Sequence, residues 1–241
     1  MDWTLRVITL LPLADWLALG WFFTCWIGYV SFARRRASVE GSLIATSNQF
    51  RNRWMTQTTL RENRMIDGVV LQNLSTSPSF FASTTIFIIG GLIAALGATE
   101  KTSELVRELP FAARTSALIF DLKLLLLVGI FVNAFFRFTW SMRQYSFAAL
   151  LIAAAPDHHT YQQQPALSES FSRHAGRIVA LAAETFNDGL RAVYLSFAAM
   201  LWFMSPLAFA LGSAGVIYIL YQREFRSDIL AILKDAAREP T

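Results

Sequence analysis

Asp121 and Lys123 stand two residues apart in the apolar run SALIFDLKLLLLVGIFVNAFF, and Asn133 follows in the same run. Ionisable residues inside a membrane crossing are costly and commonly mark an ion path, a proton relay or a ligand contact. Asp15, near the start of the first apolar block, completes this intramembrane polar set. Two positions apart on a helix is about 200° of rotation, so Asp121 and Lys123 do not pair with each other. Both lie within about 10 Å of the end that charge patterning places outside, and helical side chains lean toward the N-terminus. Lys123 is therefore expected to snorkel outward, and Asp121 either to bond a neighbouring helix or to serve a function. Asp15 is expected to be an interfacial carboxylate favoured by a helix N-terminus; the competing reading is a buried ion or proton ligand.

A second set combines basic, amide and aromatic residues: Asn48, Arg51, Trp54, Gln72, Arg143, Tyr145, Asn187 and Arg191. All flank apolar blocks on the side expected to be cytoplasmic. They could converge at the inner leaflet to hold a lipid or quinone-like headgroup. The plainer alternative is that they bond loops to a long central helix, since buried polar groups need partners.

Other chemistries find little support. Asp157, His158 and His159 are adjacent, but neighbouring imidazoles do not easily share a metal, and no His-x3-His or paired Cys accompanies them. Cys25, the single cysteine, lies in an apolar block and allows no internal disulfide. No Ser–His–acid set or phosphate-binding glycine loop is readable. Neither a catalytic residue, a metal nor a cofactor is expected.

The elements that must carry these residues are membrane helices. Hydrophobic residues make up 54% of the 241 and charged residues only 16%, against about 25% charged in soluble domains. The net charge of +4 suits cytoplasmic loops enriched in Lys and Arg, and nucleic acid is not needed to explain it. The chain reads as all-α, one polytopic membrane domain over residues 1–241, with spans near 12–32, 80–96, 116–138 and 188–223. Segments 37–77 and 139–187 are expected in the cytoplasm.

Pro12 suits a first helical turn, and Arg34, Arg35 and Arg36 hold the far end of the first span inside. Phe50, Trp54, Leu60, Met65, Ile66, Val69 and Val70 recur at helical spacing, predicting one amphipathic helix within 37–77. Pro78 is expected to open the second span, whose Ser83, Thr84, Thr85, Gly90 and Gly91 permit close helix packing. Residues 97–115 form a mixed-charge outer connection. From Ser116 to Pro156 the chain is too long for one crossing, so this helix should project into the cytoplasm. A second amphipathic helix is expected over 168–186. The last block is too long for one untilted helix; broken at Ser205–Pro206 it becomes a hairpin, with Trp202 at the outer interface and the C-terminal tail inside.

NQFRNRWM, LQNL, RFTWSMRQYSF, FNDGLRAVYLSFAAMLWFMSP and YQREFRS, in that order, resemble the domain-of-unknown-function family five hundred and ninety-nine. The likeness spans most of the chain and implies architecture and orientation, without an activity. Two departures are visible: Gln72 is followed by Asn73-Leu74-Ser75 where the family favours Arg-Asn, and Ser205 stands where its bend commonly carries Gly.

The expected function is that of an integral inner-membrane protein, N-terminus outside, serving as an accessory or scaffolding subunit. A small-solute channel or transporter, and a lipid or quinone-like binder, are the alternatives. Expected partners are the bilayer and either another membrane protein or a second copy.

Overall fold

Residues 11–99 and 116–238 are described by the computed structural model, apart from the side chains of Arg34 and residues 37–40. Residues 1–10 and most of the outer connection, 100–115, with Glu100, Lys101, Glu104, Arg107, Glu108 and Arg114, lie outside the described residues. The elements are α1 (Leu13–Glu40), α2 (Leu43–Leu60), α3 (Met65–Gly97), α4 (Ala117–Ala153), α5 (His158–Gln163), α6 (Pro165–Met200), a 3-10 turn (Leu201–Phe203), α7 (Pro206–Phe225) and α8 (Asp228–Arg238). No strand occurs among the described residues.

Local chemistry sets the helix ends. Gly41 adopts φ +72°, which side-chain-bearing residues avoid. Ser42 then caps α2 by accepting from the Ala45 N–H at 3.2 Å. Asn63 Oδ1 accepts from the Met65 N–H at 2.9 Å and starts α3. Pro165 opens α6, where its missing N–H costs nothing. Ser205 accepts from the Ala208 N–H at 3.0 Å and caps α7, with Pro206 as its first residue. A capping serine thus marks the bend.

Three helices are long and apolar enough to cross a membrane: Leu13–Ala33, Met65–Gly97 and Ala117–Ala153. The last is the long helix expected between Ser116 and Pro156, about 55 Å of unbroken α-helix. α6 and α7, covering the expected fourth segment, are not among them. Charged residues in α6 and the Gly, Ser, Tyr and Gln222–Arg223 content of α7 dilute their hydropathy. The chain nevertheless folds back between them: Trp202 stacks on Phe209 at 5.2 Å, and a Cβ added to Gly212 would lie 3.6 Å from the Cα of Ala198.

Three expected boundaries are corrected. The single amphipathic helix within 37–77 is instead the end of α1, all of α2 and the start of α3. The break at Arg61–Arg64 is fixed by Arg64, which donates to the carbonyls of Ala155 and Pro156. Consequently Met65, Ile66, Val69 and Val70 are exposed on α3. Pro78 lies inside α3 rather than opening a span; apolar packing on both sides outweighs the one backbone bond it removes. The helix expected to end at Phe186 runs on to Met200 as α6, taking in Asn187–Arg191. Gly189 makes this possible, because the Phe138 ring occupies the space of its missing Cβ, 2.5 Å away.

The described residues form two compact units. One lies within Met1–Arg34, Thr85–Ala134 and Leu190–Tyr221, the other within Arg35–Thr84, Phe135–Gly189 and Gln222–Thr241. The first is cored by Phe22, Ile130, Leu195, Trp202 and Phe209, all nearly inaccessible. In the second, Met55 and Leu71 pack with Tyr145, Ala148 and Ile152 of α4 and Ala175, Val179 and Ala182 of α6. Phe81, Phe138 and Phe186 form an aromatic triangle in the same unit, with centroids 5.3–5.9 Å apart. There α8 packs on α2, burying Leu230 while Ile229 and Ile232 stay exposed.

Candidate functional site

Trp202 organises the polar residues of the first unit. Asp15, in the first turn of α1, is 6% exposed and accepts from the Trp202 indole N–H at 2.6 Å. Lys123 is 2% exposed; its Nζ donates to the Trp202 carbonyl at 2.8 Å and lies 5.5 Å from the Trp202 ring centroid. The Phe203 ring is 5.8 Å away on the same ammonium. One residue thus gives its indole N–H to an acid and its carbonyl to a base.

One expectation is corrected here. Lys123 does not snorkel: the 3-10 turn after α6 presents a carbonyl within its reach, which replaces part of the lost hydration. Asp15 and Trp202, both expected near the outer interface, are buried against each other at 6% and 1% exposure. Asp121 bonds a neighbour, as one of its two readings held, accepting from Thr99 Oγ1 at 2.6 Å. Asn133 is half-buried and joins none of these contacts.

The second unit has two polar centres, both built around acids that the sequence reading did not single out. Asp67, fully buried in the first turn of α3, gathers three donors on one oxygen. These are Trp54 Nε1 at 2.6 Å, Thr58 Oγ1 at 3.1 Å and Arg61 Nη1 at 2.5 Å. Its other oxygen is buried without a hydrogen-bond partner among the described residues. Glu184 of α6 accepts from Asn48 at 2.8 Å and Arg177 at 3.2 Å, and Arg51 donates to Asn48 Oδ1 at 2.8 Å. Burial presses the Arg51 guanidinium below its ordinary range, opposed by Tyr145 and Glu184 nearby.

Of the eight residues expected at the inner leaflet, Asn48, Arg51 and Tyr145 come together. Trp54 serves Asp67 instead. Gln72 and Arg143 are exposed, the latter over the Phe147 ring at 5.7 Å, and Asn187 is half-buried in α6. Arg191 belongs to the first unit, buried with its guanidinium 5.5 Å from the Tyr29 ring centroid.

Two signals could have revealed the missed acids. Asp67 precedes Gly68 just ahead of an apolar helix, a first-turn position that favours carboxylate. Glu184 is seven residues from Arg177 and therefore on the same helix face. His158 meets Glu62 at 3.4 Å, and among the described residues no three His, Cys, Asp or Glu side chains gather as a metal site would require.

No curated protein and no solved structure matches the chain. Its residues 17–229 match the family described as "Protein of unknown function, DUF599". That stretch takes in α2 to α7 whole, with Trp202, Lys123, Asp67 and Glu184 inside it and Asp15 just ahead of it, and on this match the chain belongs to the DUF599 family.

Proposed function

We propose that this is a multi-pass membrane protein that serves as an accessory or scaffolding subunit, docking another membrane protein along α4. The observation that carries the reading is a stripe of exposed apolar residues on that helix: Leu118, Leu125, Phe136, Trp140, Phe147 and Leu150. At 100° per residue all six fall within about 80° of one another. From Leu118 to Leu150 the stripe is roughly 48 Å long, against a hydrocarbon core of about 30 Å. Lipid alone would cover it only at a tilt of about 50°, beyond the usual range for membrane helices. The remainder, toward Trp140, Phe147 and Leu150, is apolar surface best satisfied by a protein partner.

In this reading α6 and α7 add a shallow hairpin as the fourth apolar segment. The unit holding Arg51, Arg53, Arg61, Arg64, Arg173 and Arg177 faces the cytoplasm of a bacterial-type inner membrane by the positive-inside rule, and the N-terminus is outside. A channel or transporter is the weaker reading, because Asp15, Asp121 and Lys123 are each bonded to protein groups.

A photo-crosslinking amino acid at Trp140 in native membranes tests the proposal. One dominant adduct with a different membrane protein, recovered stoichiometrically in mild detergent, is expected. A stable monomer without adduct, or an adduct only with a second copy, would overturn it.

A further inference from the structure

α2 and α6 enclose an open groove of about 410 Å³ in the second unit, within the size range of small-ligand sites. Asn48, Asn52 and Thr56 of α2 face Ser172, Arg173 and Arg177 of α6 across it, with Glu169 also lining it. Asn48, Asn52 and Thr56 recur every four residues on α2, as Glu169, Arg173 and Arg177 do on α6, so each helix turns a polar stripe toward the groove. A solvated helix face would account for exposed arginines, but not for polar stripes facing each other across a cavity.

The walls are held in place. A Cβ on Gly176 would meet Asn52 Oδ1 at 2.2 Å and Asn52 Cα at 3.2 Å, so glycine permits the close approach of α2 and α6 beside the groove. Sites on rigid helices hold their geometry better than sites on loops. Arg177 is oriented by Glu184, which takes one N–H of the guanidinium and leaves the rest of its five donors for other acceptors. Arg173, one turn earlier, has no hydrogen-bond or ion-pair partner among the described residues.

We propose that this groove binds a phosphate group carried on a small polar molecule, with Arg173 and Arg177 as its cationic contacts and the Asn52 amide and Thr56 hydroxyl as neutral ones. Two guanidinium forks suit a tetrahedral oxyanion better than a single planar acceptor. Glu169 favours a ligand whose other end donates hydrogen bonds. The phosphate could belong to a soluble metabolite or to a phospholipid headgroup, and the same chemistry serves both.

The test uses the full chain in detergent micelles. Inorganic pyrophosphate is titrated by calorimetry, and retained phosphatidylglycerol is counted by native mass spectrometry. One-to-one binding of either probe is expected, weakened roughly tenfold or more by Arg173→Gln, since a charge-assisted bond is lost. Arg143→Gln, which removes an exposed arginine outside the groove, should leave binding unchanged. Pyrophosphate alone binding points to a soluble ligand, and phosphatidylglycerol alone to a headgroup. Binding of neither probe, or equal weakening by Arg143→Gln, would overturn the proposal. Arg173 is exposed and unpaired, so its variant folds, and unfolding temperatures in the same micelles verify this.

Discussion

The two units handle buried charge in opposite ways. In the first, Asp15 and Lys123 are far apart in sequence and share a single intermediary, Trp202, Asp15 bonding its side chain and Lys123 its backbone. In the second, acids act as hubs: Asp67 takes three donors, Glu184 two. Where apolar residues dominate, few polar partners exist, and the open carbonyl of a 3-10 turn must stand in for one. Where arginines are plentiful, a carboxylate can collect several. The strategy should therefore determine how much one substitution costs.

Removing a hub should cost most. Asp67→Ala would strand the indole N–H of Trp54, while the Thr58 hydroxyl keeps the Trp54 carbonyl at 3.0 Å and Arg61, 39% exposed, could turn to water. A loss of about 3 kcal/mol is expected, read as a lowered unfolding midpoint in detergent; a loss below about 1 kcal/mol would show that Asp67 is no hub. Trp202→Phe keeps the ring stack on Phe209 but takes the donor from Asp15, for a loss of about 2 kcal/mol. Recovery of that stability in Asp15→Asn combined with Trp202→Phe would tie the cost to the bare carboxylate.

Lys123→Met should be milder, about 1 kcal/mol, because an apolar side chain of similar length removes a buried charge together with its bond. A loss of 3 kcal/mol or more would mean that the ammonium also neutralises Asp15. Glu184→Gln should change least, within about 0.5 kcal/mol. An amide oxygen still accepts from Asn48, and the Arg177 pair it weakens is largely solvent-exposed. Denaturation of this variant at low and high salt should give the same midpoint.

Much of this contrast was readable in outline. The length of α4 followed from a run without Pro and with Gly129 as its only glycine, and the bend at Ser205–Pro206 from proline chemistry. What could not be read depended on partners distant in sequence. Depth along a helix suggested that Lys123 would snorkel, but its burial comes from a carbonyl 79 residues away. The break at Arg61–Arg64 carries no strong local stop signal, since Arg64 is held by carbonyls at the far end of α4. The continuity of α6 past Phe186 was hidden because Gly189 resembles a terminator until the Phe138 ring is seen against it. Of the polar cluster, Asn48, Arg51 and Tyr145 were picked out by residue type and by their place beside the apolar blocks, while Asp67 and Glu184 were overlooked because the partners that make them hubs, Trp54 and Asn48, lie 13 and 136 residues away.

The contact between α8 and α2 has a consequence for biosynthesis. Arg53 donates to the carbonyls of Ala236 and Ala237, at 3.4 and 2.5 Å, neutralising the exposed end of α8. Those acceptors are synthesised more than 180 residues after it, roughly ten to forty seconds later at ordinary translation rates. Until then the guanidinium has only a local resting place, the Phe50 ring three residues back, 5.5 Å from it in the finished fold. The arrival of α8 is thus the last step in satisfying α2, and a ribosome stalled before Ala236 would leave that helix with a cation still waiting for its partner.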